Sequence, residues 1–229
     1  MTFMLFLLST LFLLHTPTND AAALLQRVQT RYDLVQDYSA DVSIKVNVTF
    51  IKVPVKKGRL FFKQPDKIKL ESPGFTILPK KGMGYGFYEL FSKPYTSIYI
   101  RNERINGRNL AQVKVLPVDD QSDLLLATLW IDESSALVNR AELVSKTAGN
   151  SKIKISYPER PDRYGMPSRI EFEFDVTQKA LPMGITGEFD GPAKVAPDGK
   201  QDKARLTVDY SAYKINSGLT DSFFISKKN

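Results

Sequence analysis

The chain has 229 residues, with 42% hydrophobic and 25% charged side chains, which fits a folded domain and excludes a disordered chain. Its formal net charge is +7, it contains no cysteine, and its one histidine is His15. Without cysteine the fold cannot rely on disulfides, and the residue needed for lipidation after export is missing. His15 lies in a segment that we expect to be removed. The remaining chain then contains neither histidine nor cysteine, which excludes Ser-His-Asp catalysis, Cys-His catalysis and a zinc site built from the usual ligands.

The first predicted element is an apolar run from Phe3 to Leu14. It is shorter than the roughly 20 residues that span a bilayer, but it suits the h-region of a secretory signal. No basic residue precedes it and no Ala-x-Ala site follows, so an uncleaved anchor and a buried helix are alternatives. We expect residues 1–18 to be a signal peptide, cleaved between Thr16 and Ala23, and residues 19–229 to form one domain. The lack of cysteine favours the periplasm.

The second predicted element is an amphipathic helix over Ala21–Val35, with Asn19 or Asp20 as its N-cap. Its apolar residues recur at the spacing of one helix face, which we expect to be buried. They are Leu24, Val28, Tyr32 and Val35.

From Asp41 the apolar period changes to two, which predicts a strand over Asp41–Phe50 with one apolar and one polar face. Turn signals separate nine further segments with the same alternation. These are Arg59–Lys63, Lys67–Glu71, Ser97–Arg101, Ala111–Leu116, Leu124–Asp132, Val138–Ser145, Lys152–Tyr157, Arg169–Val176 and Arg205–Tyr213. Together they predict one curved antiparallel sheet or barrel. We expect the segment Thr177–Lys203 to be a long loop with a short strand near Ile185–Phe189.

Three patterns have both a chemical and a structural interpretation. Asp119, Asp120 and Asp123 precede a strand but lack the ligand spacing of an EF-hand, so a solvated turn is the simpler interpretation. Paired carboxylates within residues 171–175 can hydrolyse glycosides, although the polar face of a strand explains them more simply. The glycines of residues 82–86 match neither a P-loop nor a dinucleotide fingerprint. They predict a flexible loop or the rim of an apolar opening.

The net positive charge lies between Lys52 and Lys81, where nine basic residues and only two acidic ones, Asp66 and Glu71, give +7, so the rest of the chain is neutral. This segment is either a solvated sheet face with lysines on an exposed edge or a docking surface for an anionic membrane or an acidic protein. Nucleic acid does not fit an exported chain, and no motif indicates it. The lysines that we assign to the candidate docking surface are Lys56, Lys57, Lys63, Lys67 and Lys69.

Four segments carry a resemblance that covers nearly the whole mature chain. They read LLQRVQTRYDLVQDYSADVSIKV, GRLFFKQPDKIKLE, LWIDESSALVNRAELVSKTAGNSKIKISY and VDYSAYKINSGLTDSFF. In this order they resemble the LolA-type family of periplasmic outer-membrane lipoprotein carriers and sorting proteins. The resemblance implies a mainly β protein with some α structure. Its strongly curved, unclosed antiparallel barrel has about 9–11 strands, and an N-terminal amphipathic helix covers an apolar concave face.

The resemblance also implies a lid. The family often has Arg-Pro after one strand, and the arginine helps to hold the helical lid shut. Here Gln64 precedes Pro65, so we assign the lid or hinge to this pair, with a neutral hydrogen bond in place of a charge. Tyr32 occupies the helix position where the family often places a leucine that faces the cavity.

The alternating strands and the resemblance together predict a concave face that shelters acyl chains. Each buried methylene contributes about 0.8 kcal/mol, so one sixteen-carbon chain contributes roughly 12 kcal/mol before costs. The alternative is a core filled by its own side chains. The candidate lining residues are Tyr32, Leu60, Phe62, Ile68, Leu70, Phe75, Ile77 and Tyr99.

The predicted function is therefore a monomeric periplasmic carrier of a lipid or an acylated lipoprotein, with no cofactor, no metal, no catalytic residue and no nucleic-acid partner. By resemblance, its partners are an inner-membrane exporter and an outer-membrane acceptor. The alternative is a non-carrier envelope module of the same fold, a sensor or assembly partner that docks through the Lys52–Lys81 surface. A carboxylate-dependent hydrolase is the third hypothesis.

Overall fold

The computed structural model describes residues 20–48, 51–52, 54–72, 90–91, 93–147, 149–176 and 202–225. These ranges contain one complete α-helix, eleven strands and a short 3-10 helix, and residues 90–91 are also helical. The elements are α1 (Ala21–Asp33), β1 (Asp37–Val48), β2 (Ile51–Lys52), β3 (Lys56–Lys63), β4 (Lys67–Glu71), β5 (Tyr95–Ile105), β6 (Arg108–Pro117), β7 (Leu124–Asp132), β8 (Leu137–Ser145), β9 (Gly149–Ser156), β10 (Arg169–Val176), β11 (Asp202–Ile215) and the 3-10 helix Asp221–Phe224.

Helix α1 begins at a capping side chain. The carboxylate of Asp20 accepts the N–H groups of Ala22 at 2.9 Å and Ala23 at 3.2 Å, which satisfies two donors that have no partner inside the helix. The predicted apolar face is confirmed, because all four of its residues are buried: Leu24, Val28, Tyr32 and Val35.

The helix ends at Asp33, two residues before the predicted end. The N–H groups of Leu34 and Val35 bond to the carbonyls three residues back, so the last turn tightens and the chain leaves the helix. Strand β1 follows almost at once. Within the described ranges, no helix has the length and apolar character needed to cross a bilayer.

The strands form one sheet in the order β4-β3-β1-β11-β10-β9-β8-β7-β6-β5, with β2 paired to the end of β1. Each neighbouring pair is antiparallel. Strands β4 and β5 are the two edges, and in the part of the chain that the structure describes they do not pair with each other. The sheet is thus a curved, unclosed barrel with an N-terminal helix, as the sequence predicted.

The two faces of the sheet differ in chemistry. The register joins one inner row of apolar side chains across eight strands: Tyr99, Val113, Leu129, Ala141, Ile153, Phe172, Leu206 and Val46. The neighbouring outer row is mostly charged: Lys114, Thr128, Glu142, Lys152, Glu173, Arg205 and Asn47. This contrast follows from the period of two, because successive side chains point to opposite faces.

The sheet also has two distinct ends. One end, which we call the helix end, contains the turns at residues 64–66, 106–107 and 133–136, the loop at residues 157–168, and the start of β1. The opposite end contains the turns at residues 118–123 and 146–147, the end of β1 and the start of β11. Helix α1 leads directly into β1 at the helix end.

Three predicted strands have the observed bounds, namely Lys67–Glu71, Leu124–Asp132 and Arg169–Val176. Others are longer than predicted. Strand β1 begins at Asp37, and β11 begins at Asp202, so Lys203 belongs to a strand and not to the predicted loop. The signal segment, the glycines of residues 82–86 and the predicted strand near residues 185–189 lie outside the described residues.

Candidate functional site

Four predicted lining residues lie on the inner face of β3 and β4. Leu60 is 0% exposed and Phe62 is 3% exposed, so both are packed into the core. Across the strands they pair with Leu70 and Ile68, which are half-buried. The residues of this set that remain partly accessible to solvent are therefore Ile68 and Leu70, on the edge strand β4.

Two further predicted residues come from the helix and the other edge of the sheet. Tyr32 is buried on α1, with its ring centroid 6.1 Å from that of Phe91. Burial raises the pKa of Tyr32 well above its ordinary value, so the phenol stays neutral. Tyr99 is half-buried on β5 and packs against the core. The remaining two, Phe75 and Ile77, lie outside the described residues.

Aromatic rings fill the inner face near the helix end. Phe62 lies 5.2 Å from Tyr38, which lies 5.6 Å from Tyr213, and Tyr213 stacks on Tyr210 at 6.0 Å between ring centroids. The hydroxyl of Tyr213 donates to the carbonyl of Pro167 at 2.8 Å, which holds this ring in place. Such rings bury large areas and pack edge to face or offset. The protein's own side chains occupy this end of the concave face.

The opposite end of the inner face has a different composition. Here Phe174 and Leu143 are half-buried and pack against the core, and the register places Ser151 between them. The strands on either side contribute Ala204 and Ala127 to the same row. Small side chains thus alternate with large ones in this row, and the two alanines, Ala127 and Ala204, are 0% and 1% exposed.

The sequence-based lining set missed Phe174 and Leu143. Their signal was present, because both occupy apolar positions in the alternating segments Arg169–Val176 and Val138–Ser145. Alternation identifies the inner face of a strand, but it does not tell which end of that face is filled.

The predicted lid pair holds the end of the helix. The side-chain amide of Gln64 donates to the carbonyls of Tyr32 at 3.2 Å and Val35 at 2.9 Å. These carbonyls lie at the end of α1, where backbone acceptors have no partner inside the helix. Gln64 and Pro65 belong to the β3–β4 turn, and the peptide bond between them is cis.

Two arginines fasten the exposed side of α1 to other turns of the helix end. Arg27 donates to the carbonyl of Glu133 in the β7–β8 turn at 2.7 Å. Arg31 donates to the carbonyls of Asp162 and Arg163 in the β9–β10 loop, at 3.2 and 3.3 Å. The helix therefore lies across this end of the sheet, joined to three separate turns by hydrogen bonds near its surface.

The predicted docking lysines lie in β3 and β4, and three of them contact the chain's own C-terminal segment, which we define as residues 216–225. Lys63 and Lys67 form ion pairs with Asp221 at 2.7 and 2.5 Å. The ammonium of Lys69 lies 4.1 Å from the ring centroid of Phe223. The hydrogen bond from Lys63 and then that from Lys67 lower the pKa of Asp221 to about 2. Lys57 lies on the same face of β3 as Lys63, nearer the start of the strand, whereas Lys56 lies on the opposite face, with Leu60 and Phe62.

A buried carboxylate anchors the beginning of the C-terminal segment. Asp37 is 4% exposed. One of its oxygens accepts the N–H and the hydroxyl of Ser217 at 2.8 and 3.0 Å, and the other accepts the N–H groups of Gly218 at 3.0 Å and Leu219 at 3.3 Å. Beside it, the side chain of Asn216 accepts the N–H of Gln36 at 2.8 Å. Sequence reasoning missed this anchor because its partners are distant along the chain.

The acidic clusters have structural partners. Asp119 accepts the N–H of Gln121 at 2.9 Å within a turn. On the outer face, Glu173 forms ion pairs with Arg205 at 3.0 Å and Lys203 at 3.1 Å. Among the residues that the structure describes, no group of three His, Cys, Asp or Glu side chains is placed to hold a metal ion.

The sequence matches no protein-family model and no curated protein. Solved structures are nevertheless similar in fold. A LolA superfamily protein from Nitrosomonas europaea has a TM-score of 0.58 at 14% identity, covering 90% of this chain and 97% of that one. A domain described as an outer membrane lipoprotein-sorting protein, from Vibrio parahaemolyticus, has a TM-score of 0.57 at 10% identity, covering 89% and 95%.

A third structure, a DUF1329 family protein from Desulfovibrio piger, has a TM-score of 0.56 at 12% identity, covering 90% of this chain and 97% of that one. At such identities the similarity concerns the fold. Each comparison covers nearly the whole of both chains. The chain has a LolA-like fold.

Proposed function

We propose that this chain is a periplasmic lipid-binding carrier that shelters the acyl chains of lipoproteins, or of another lipid, during transfer toward the outer membrane. The observation that carries this proposal is the inner row at the opposite end of the sheet, where small side chains separate the half-buried Phe174 and Leu143. The similarity in fold to a protein described as sorting lipoproteins supports it. Residues 1–18 serve as the export signal.

The binding face extends from this row to both edges of the sheet. On one side it includes Leu70 and Ile68 of β4, and on the other Tyr99 of β5. Phe75 and Ile77 follow β4 in the chain and complete the proposed lining. An acyl chain gains about 0.8 kcal/mol for each methylene that it buries, so a surface of this kind binds lipid without any catalyst.

Opening is assigned to α1 and the β3–β4 turn. The helix is tied to the sheet by the hydrogen bonds of Gln64, Arg27 and Arg31. Hydrogen bonds near the surface contribute only about 1 kcal/mol each, because water replaces them when they break. A ligand that gains more by burial can therefore displace the helix, with Gln64 and Pro65 as its hinge.

Neighbouring residues of β4 provide a matched test, because Leu70 faces inward and Lys69 faces outward. The probe is an undecanoic acid with a terminal dansyl group, whose fluorescence rises and shifts to the blue in an apolar site. We expect Leu70→Gln to weaken its binding at least tenfold, because the variant places a polar group on the acyl-binding face. Lys69→Gln should leave binding unchanged.

Salt distinguishes acyl binding from surface docking. Binding of the probe should persist in 1 M salt, where the Debye length falls to about 3 Å and exposed charges are screened. A chain that binds no probe, or a Leu70→Gln variant that binds as well as Lys69→Gln, would refute the carrier function.

The second candidate function is a docking module of the same fold, acting as a sensor or assembly partner through the basic surface. The specific observation in its favour is that Lys63, Lys67 and Lys69 already hold a peptide segment, the chain's own C-terminal segment.

A further inference from the structure

We propose that the outer face of β3 and β4 is a docking surface for a segment of a partner protein with an acidic residue and, two positions later, an aromatic residue. The chain's own C-terminal segment occupies this surface when no partner is bound. The proposal does not depend on lipid binding, because it concerns the outer face of the sheet.

The acidic position is recognised by two lysines on adjacent strands. Lys63 and Lys67 are register partners across β3 and β4. Their ammonium groups contact different oxygens of the Asp221 carboxylate, at 2.7 and 2.5 Å. A carboxylate fits this pair because each of its two oxygens accepts a charge-assisted hydrogen bond.

The aromatic position is recognised by an apolar and a cationic contact. The ring of Phe223 lies 4.7 Å from that of Phe61, and the ammonium of Lys69 lies 4.1 Å from its centroid. Phe61 and Lys69 are themselves register partners, and they lie two residues from the lysine pair along each strand, on the same face. An aromatic ring is therefore favoured by ring packing and by a cation–π contact together.

The lysines also recognise the peptide backbone. Lys63 donates to the carbonyl of Leu219 at 2.8 Å, and Lys69 donates to the carbonyl of Phe223 at 3.3 Å. Two backbone carbonyls with a carboxylate between them are features of a peptide segment and not of a lipid headgroup. The chemistry of the surface therefore favours a protein segment over an anionic membrane.

The resident segment can be displaced beyond its anchor. Asp37 holds the chain as far as Leu219 by buried hydrogen bonds. Beyond that point the 3-10 helix has no buried residue, and the side chain of Asp221 is 64% exposed. Exposed ion pairs of this kind contribute little net stability. Gly218, with a φ of 78°, lies within the anchored part, one residue before its end at Leu219.

The test uses the full chain and a fluorescein-labelled peptide with the sequence of residues 218–225. In the release variant, Asp221→Asn with Phe223→Ala, the resident segment loses both recognised side chains while β3 and β4 stay intact. We expect the peptide to bind this variant at least tenfold more tightly than wild type, measured by fluorescence anisotropy, because the tethered segment competes at a high effective concentration. Ile225→Ala is the matched control, since Ile225 is 72% exposed, and it should behave as wild type.

Two further measurements establish the recognition. Peptides carrying Asp221→Asn or Phe223→Ala should bind the release variant at least tenfold more weakly than the wild-type peptide. Adding Lys67→Gln to the release variant should reduce binding similarly, and circular dichroism confirms that each variant is folded. Equal affinity of wild type and release variant, or equal binding of the altered peptides, would overturn the proposal. So would a release variant that binds vesicles with 30% phosphatidylglycerol but not the peptide, since the surface would then be a membrane surface.

Discussion

At the scale of single residues, Asp37 fixes a segment that lies 180 residues away in the chain. The carboxylate accepts four hydrogen bonds, three of them from backbone N–H groups. Because the site is buried, water cannot replace these bonds when the carboxylate is removed.

We therefore expect Asp37→Ala to lower the free energy of unfolding by about 3 kcal/mol, since charged hydrogen bonds are lost and buried donors are left without partners. For a chain of this size the melting temperature should fall by about 6–12 °C. The control is Asp41→Ala on the same strand, whose carboxylate is exposed and lies 3.8 Å from Arg59. Its effect should stay within about 0.5 kcal/mol. Similar losses in the two variants would show that Asp37 is not an anchor.

Asp221 gives a pH dependence with a definite sign. Its pKa of about 2 lies below the value of about 3.9 expected in the detached segment. The contact with Lys63 and Lys67 therefore contributes fully above pH 4 and is lost as the pH falls through about 2. Nearby, Lys69 also pairs with Glu71 at 3.1 Å, so a second carboxylate lies beside the same surface.

The ring-proton shifts of Phe223 in NMR spectra report the detachment, because the ring of Phe61 lies beside it. We expect these shifts to stay constant from pH 7 to 4 and to move toward random-coil values between pH 4 and 2. In Asp221→Asn they should lie closer to random coil already at pH 7. A wild-type shift that does not change down to pH 2 would contradict the role of Asp221.

At the scale of elements, Gln64 connects the β3–β4 turn to the end of α1. Replacement by glutamate removes both donated hydrogen bonds and places a negative charge beside helix carbonyls, where the helix dipole is also negative. We expect Gln64→Glu to cost about 1–2 kcal/mol of stability. Amide hydrogen exchange of the last helical turn should accelerate, and the dansyl probe should bind faster.

The matched control is Gln26→Ala on the exposed side of the same helix. It should leave both the exchange rates and the rate of probe binding unchanged. If Gln64→Glu and Gln26→Ala behave alike, the β3–β4 turn does not hold the helix.

Much of the fold could be predicted at this scale, because its elements are amphipathic. The alternation in β4, β7 and β10 gave their observed bounds, and the helical spacing of Leu24, Val28 and Tyr32 gave the buried face of α1. The ends of β1 and β11 could not be predicted this way. The residues by which these strands exceed their predicted ends, near Asp37 and Ile215, are held by the pairing of β1 with β11. The alternating pattern within one strand does not predict such a pairing.

At the scale of the whole molecule, the alternation predicts that the lysines of β3 and β4 lie on the outer face, where the register places Lys57, Lys63, Lys67 and Lys69 but not Lys56. The sequence did not predict what these lysines contact. The acidic and aromatic residues that meet Lys67 and Lys69 come from the far end of the chain, where no periodic pattern exists. For a similar reason, the sequence could not predict which end of the concave face is filled. The filling of a concave face depends on which rings, such as Tyr38 and Tyr213, meet across distant strands.

The molecule also separates its two proposed surfaces. The acyl-binding face lies inside the curved sheet, with Phe174 and Leu143 at the opposite end, whereas the docking surface lies on the outer face of β3 and β4. Replacing an inner residue should therefore not alter peptide binding, and replacing an outer lysine should not alter acyl binding.

Native mass spectrometry of the protein purified from the periplasm tests the carrier function most directly. We expect a population whose mass exceeds that of the bare chain by one acyl lipid, and we expect Leu70→Gln to lose that population while Lys69→Gln keeps it. A spectrum that contains only the bare chain, before and after incubation with excess lipid, would contradict the account.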